Sequence, residues 1–172
     1  MIRGIFNVRR VFGFISRDKV INQSLRNKPE VVYGARAMNI QLPPGLQRHT
    51  IDYDIYSKTP KKKAKQLERK LDRDSSGNFF YTKEALHKGT YKVMDVGFDN
   101  KKGTRDDFGV IDLTKPDRKI KKVKIDNINY AHISERERDA KRSLSESEFH
   151  YRHEKDRRDL HRIRYSKKIW RI

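Results

Sequence analysis

The sequence predicts an α+β protein, α/β-like in its connections: a small mixed sheet with helices flanking it and basic arms at both ends. Three observations carry this expectation. Short runs rich in β-branched and aromatic residues recur through the middle of the chain, each bounded by glycine, proline or a polar turn. One segment between them, 59–74, has apolar residues at helical spacing. Charged residues (38%) outnumber hydrophobic ones (34%) in a chain of 172, too lean a composition for every residue to share one core.

Taken in order, Ser16 precedes Val20, Ile21 and Leu25 at helical spacing, so a short capped helix is expected that Pro29 stops. The run 30–34 is an apolar strand ending at Gly34, and 35–42 is a helical turn or two that Pro43, Pro44 and Gly45 terminate. Residues 49–57 alternate, with Ile51, Tyr53 and Ile55 on one face and Asp52, Asp54 and Tyr56 on the other. Pro60 then sits at the first position of a helix over 59–74 that aligns Ala64, Leu67 and Leu71 and leaves its outer face basic. Segments beginning at Gly77 and Gly89, and 108–114 after a polar turn at Gly103, read as three further strands.

This divides the chain into a basic N-terminal arm with a short helix (1–30), a core of about five strands (31–114), and a basic, largely helical C-terminal extension (115–172). Ser134 with Glu137 has the spacing of a capping box. Beyond it Leu144, Tyr151, Leu160 and Ile163 look too sparse to hold a helix on a core, so the extension is expected to be solvated or ordered by other protein chains.

The formal net charge of +19 calls for a polyanion or an acidic protein surface as partner. There is no cysteine, which excludes disulfides, thiolate metal sites and cysteine nucleophiles. No apolar stretch approaches the roughly 20 residues that span a bilayer. The first residues are basic and amphipathic, but Gly4, Arg9 and Arg10 interrupt the apolar run, unlike a secretory signal. The expected location is intracellular, or within a virion or other large particle. No phosphate-loop, nucleophile-elbow or dinucleotide fingerprint is present. The six histidines are scattered; His49 precedes the Asp-x-Asp run, and His150 and His153 sit beside arginines that oppose a metal ion.

Asp52 and Asp54 pose the chemical question. Residues two apart in a strand share one face, and two carboxylates so placed repel unless a cation lies between them. Mg²⁺ is the simplest candidate, being bound by one or two carboxylates with phosphate oxygens completing its shell. Asp112 sits between apolar neighbours in the later strand 108–114. If that strand lies beside 49–57, three carboxylates converge, the minimum for two-metal phosphoryl transfer.

The succession VVYGARAMN, DYDIYS, a helix, two strands and VIDLT resembles the minimal core of the DNA polymerase beta-like nucleotidyltransferase superfamily, over about 31–114. The resemblance implies that Asp52, Asp54 and Asp112 are catalytic and hold Mg²⁺, with Asp112 helping to deprotonate the attacking hydroxyl. It also implies that Gly34 lets the backbone approach a nucleoside triphosphate, and that the helix from Ala35 points its N-terminus at the phosphates. The family's Gly-Ser or Gly-Gly is Gly34-Ala35 here, and Arg36 offers a substitute fork of donors for the phosphates.

Three basic runs complete the reading. Lys61, Lys62, Lys63 and Lys65; Lys119, Lys121, Lys122 and Lys124; and an Arg-rich stretch including Arg157 and Arg158, with aromatic residues interleaved, suit the phosphate backbone of nucleic acid. The expectation is thus a nucleotidyltransferase-like protein that transfers a nucleotidyl group from an NTP to a hydroxyl on protein or nucleic acid. The alternative is a non-catalytic structural or nucleic-acid-binding component of a large assembly, built on the same core.

Overall fold

A computed structural model describes residues 17–170. Of the N-terminal arm expected over 1–30, the expectations for residues 1–16, Ser16 as a cap included, lie outside the described residues. Helix α1 covers 17–25. It is followed by β1 (Val31–Tyr33), α2 (Gly34–Asn39), a 3-10 turn (Pro44–Leu46), β2 (Tyr53–Tyr56), α3 (Pro60–Asp74), β3 (Phe80–Glu84), β4 (Tyr91–Asp95) and β5 (Phe108–Thr114). Then come β6 (Lys122–Ile125), β7 (Ile128–Ala131), α4 (Ile133–Ser145), a second 3-10 turn (Ser147–Arg152) and α5 (His153–Trp170). The result is an α+β fold with one seven-stranded mixed sheet in the order β3-β4-β5-β2-β1-β7-β6.

The sheet does not stop at Thr114. β6 and β7 form an antiparallel hairpin, and β7 runs parallel to β1. The two-residue turn Asp126-Asn127 has φ of +49° and +64°, the left-handed pair that matches the twist of a tight hairpin. The segment expected to be a helical extension therefore contributes two strands to the sheet before turning helical.

One face of the sheet carries the main core. Val32, Tyr53, Ile55, Val93, Ile111 and Leu113 meet Val20, Ile21 and Leu25 of α1 and Ala64, Leu67 and Leu71 of α3. Each fully buried Leu or Ile contributes roughly 1.5–3 kcal/mol. Strand alternation follows in β2, where Tyr53 and Ile55 are buried and Asp54 and Tyr56 face the other way. Ile51 departs from the expected pattern: it precedes the strand and is 41% exposed.

Helices α2, α4 and α5 lie on the opposite side, where Met38, Leu42 and Ile163 form a cluster with Leu46 and Ile133. The C-terminal helix is thus packed on the rest of the fold and not solvated all round. Few apolar residues suffice because ion pairs complete the contact. Asp156 and Asp159 are fully buried, and Arg136 of α4 reaches both, at 2.5 and 2.7 Å. Arg48 and Arg162 also pair with Asp159, and Arg152 with Asp156. Burial pulls the Asp156 carboxyl upward, yet contacts with Ser143 and Arg136 hold it below the usual range. The N-cap of α4 is His132, whose Nδ1 accepts from the Ser134 amide, not Ser134 itself. Glu137, the expected capping-box partner, pairs instead with Lys141 and Lys167. His153 packs Nε2 against the Ser143 carbonyl at 2.8 Å, closing the α4–α5 turn. Among the described residues no helix is long and apolar enough to cross a membrane.

Candidate functional site

Four polar side chains form a row across the sheet. β1 sets Tyr33 opposite Asp54, β2 sets Asp54 beside Asp112, and β5 sets Asp112 opposite Lys92. Cross-strand partners project to the same face, so hydroxyl, two carboxylates and ammonium line up on the side away from the α1–α3 core. The strand 108–114 does lie beside the Asp-x-Asp strand, parallel to it. Lys92 Nζ is 2.9 Å from Asp112 Oδ2.

The turn after β1 is built for this row. Gly34 has φ of +66°, and a Cβ there would come within 2.1 Å of Asp54 Oδ2. The space opened by the missing side chain is filled by the Asp54 carboxylate. Ala35, expected at the phosphates, buries its methyl at 4% exposure. Arg36 is also redirected. It bonds Asp18 through both terminal nitrogens, donates Nε to the Asp52 carbonyl at 2.8 Å, and lies 3.6 Å over the Tyr53 ring. Its fork is committed to fastening α1 and α2 to the entry of β2, because Asp18 of α1 lies within hydrogen-bond reach of both terminal nitrogens.

Asp54 is half-buried, and its carboxyl is pushed up to about 6 by burial and then by the charges of Asp52 and Asp112, with Lys155 and Arg48 opposing. Asp52 behaves differently. Burial would raise it, but a hydrogen bond from Thr50 Oγ1 at 2.6 Å and the fields of Lys155 and Arg48 hold it low. The Tyr33 hydroxyl is raised by burial and by the neighbouring Asp54, Tyr56 and Asp112, Arg152 countering. Tyr33 and Tyr56 stack with centroids 3.9 Å apart. Desolvation and the nearby Arg48, Arg152 and Arg136 lower Lys155, while Asp54 opposes them.

The expected convergence of all three aspartates is only partly formed. Asp54 and Asp112 are brought together, whereas Asp52 lies just outside β2 with its carboxylate turned to Thr50. Among the described residues no group of three or more His, Cys, Asp or Glu is arranged to hold a metal ion. The donor chemistry nonetheless suits a cation, which would offset both the burial of the Asp54 carboxylate and its repulsion by Asp52 and Asp112. His49 is an exposed loop residue.

The basic residues separate into distinct places. Lys61, Lys62 and Lys65 are exposed on the first turns of α3, but Lys63 is buried, donating to the Ser24 carbonyl and pairing with Glu30 at 3.3 Å. Lys63 is thus removed from the expected nucleic-acid contacts; its position in the helix turns it onto α1. Lys122 and Lys124 point outward from β6 at the sheet edge, where charge discourages pairing with another chain. Lys119 and Lys121 are exposed beside them, and Arg157 and Arg158 are exposed on α5, Arg158 paired with Glu154.

Sequence reasoning missed Tyr33, Lys92, Arg48, Arg152 and Lys155 around the aspartates. The first two stand at register positions opposite an aspartate, which only the strand pairing reveals; the others come from a loop, the second 3-10 turn and α5, whose approach depends on tertiary packing.

No family model matches the sequence, and no curated protein matches it significantly. Solved structures do resemble the fold. The crystal structure of the Megavirus polyadenylate synthase matches 96% of this chain with a TM-score of 0.67 at 20% identity, and the match spans 38% of that chain. The crystal structure of JHP933 from Helicobacter pylori matches 86% of this chain with a TM-score of 0.50 at 17% identity, over 64% of its own length. The chain shares the fold of the matched parts of these two proteins, and it spans under two thirds of either neighbour.

Proposed function

We propose that the chain is a nucleotidyltransferase whose site is the row Tyr33–Asp54–Asp112, moving a nucleotidyl group from an NTP to a hydroxyl of nucleic acid or protein. The observation that carries this reading is the in-register pairing of Asp54 with Asp112 above the positive-φ turn at Gly34. Polyadenylate synthesis, the activity named for the megavirus neighbour, is one transfer of this class.

Asp54 and Asp112 would hold Mg²⁺, and Asp52 would join them on leaving Thr50. The ion, when bound, supplies charge neutralisation for the phosphates and polarisation of the attacking hydroxyl. The chain's own part is placement. Arg36 fixes the backbone at Ile51 and Asp52 and so the approach to β2. Lys155 and Arg48 offset part of the carboxylates' negative charge and would face the phosphates of a bound NTP. Asp112 is the candidate acceptor of the hydroxyl proton.

The test is incorporation of α-³²P-labelled NTP with Mg²⁺, using Asp54→Asn and Asp112→Asn. Loss of labelling in both variants with folding retained supports the proposal; labelling equal to wild type in either overturns it. A second reading, favoured by Lys92 sitting on Asp112, is a non-catalytic core serving as a component of a virion or other nucleoprotein particle. It predicts co-sedimentation with such a particle and no labelling under any metal.

A further inference from the structure

A recess of about 630 Å³ opens beside the start of α3, away from the aspartate row, between that helix and the start of β4. It is lined by Tyr91, Pro60 and Gly89, with the exposed Lys61, Lys62, Lys65 and Lys115 at its rim. We propose that this recess binds single-stranded nucleic acid, the Tyr91 ring receiving a base and the four ammonium groups receiving the phosphates on either side of it.

Three independent features support this. First, none of the four rim lysines pairs with a carboxylate among the described residues, whereas Lys63, in the same turn, is neutralised by Glu30. Second, Lys61 and Lys62 stand in the first turn of a helix that has no acidic residue there. Cations at that end oppose the helix dipole by about 0.3–1 kcal/mol each, an arrangement that folding alone disfavours and a bound anion relieves. Third, Tyr91 is only partly buried, and Lys61 Nζ lies 5.9 Å from its ring centroid. An aromatic face edged with cations is the arrangement that stacks an unpaired base while holding its backbone. A duplex keeps its bases stacked inside and leaves the ring unused, and the carboxylates of an acidic peptide offer no aromatic face to stack on it.

The recess goes beyond the transfer reading and does not depend on it, so binding is measured in EDTA with the full chain. The probe is a fluorescein-labelled oligouridylate followed by anisotropy across a salt series. The combined variant Lys61→Ala, Lys62→Ala, Lys65→Ala alters exposed residues only. It is expected to weaken binding by about tenfold and to reduce the slope of log affinity against log salt by roughly 2, at about 0.7 per lost phosphate contact. Tyr91→Phe should bind as wild type and Tyr91→Leu several-fold more weakly. The proposal is overturned if the triple lysine variant binds unchanged, if Lys121→Ala, Lys122→Ala, Lys124→Ala causes an equal loss, or if duplex RNA or polyglutamate competes as well as a single strand. Should Tyr91→Leu fail to fold, the lysine variants and the competitors decide.

Discussion

Lys92 and Asp112 face each other across β4 and β5, with Nζ 2.9 Å from Oδ2. The ammonium occupies the carboxylate that a divalent ion would need, so the pair sets a competition between an internal cation and an external one. Replacing Lys92 with Met should raise Mn²⁺ affinity by roughly fivefold, the equivalent of about 1 kcal/mol for a partly exposed pair. Calorimetric titration of wild type and variant checks this; unchanged or weaker binding would show that Asp112 is not a ligand.

Gly34→Ala should destabilise the fold by about 2–4 kcal/mol, the sum of left-handed backbone strain and a displaced carboxylate. In an Asp54→Ala background the clash disappears and only the backbone part, about 1–2 kcal/mol, should remain. A double-mutant cycle by urea unfolding measures the difference.

Asp54 holds its proton more tightly folded than unfolded, its carboxyl moving from the ordinary 3.8 up to about 6. Between about pH 4 and 6 the folded state therefore carries the extra proton, and stability falls as pH rises through that window. Asp54→Asn should flatten this slope and, at pH 7, be more stable than wild type by up to about 3 kcal/mol. Thermal melts of both proteins from pH 4 to 8 test the sign; a slope that survives the substitution would place its origin elsewhere.

Arg136→Ala should strip two fully buried carboxylates of their shared partner. Losing one side of a buried pair typically costs about 3–5 kcal/mol. The expected result is early proteolytic cleavage within 147–170 and fast amide exchange along α5 before the sheet opens.

Asn127→Gly should stabilise the β6–β7 hairpin by about 0.5–1 kcal/mol, because a residue held at φ +64° loses its steric penalty. Chemical denaturation curves suffice to detect it.

The strands of 31–114 and the helix at Pro60 were legible because each has its own period and its own stop signal: Gly34 after β1, Pro60 at the head of α3, Gly89 before β4. The adjacency of Asp54 and Asp112 could be posed from the sequence but depends on β2 and β5 pairing, a long-range choice. The β6–β7 hairpin was hidden by its lysines. In KVKI the charged residues are the outward half of an alternation, and Asp126-Asn127 is the turn signal within a stretch that composition alone reads as a basic run. The docking of α5 was invisible for a related reason: Asp156, Asp159 and Arg136 act as buried residues only because they neutralise one another. Arg36, read as a phosphate fork, shows the reverse error, since Asp18 claims it from 18 positions back along the chain.

Because β7 closes on the flank of β1, the middle of the sheet is assembled from segments made early and late in synthesis. While the polypeptide emerges from the ribosome, Val31–Tyr33 has one edge bare until Ile128–Ala131 has cleared the exit tunnel. Non-local pairing of this kind slows folding and exposes strand edges on the way. A translational pause or truncation before residue 128 should therefore yield an aggregation-prone nascent chain.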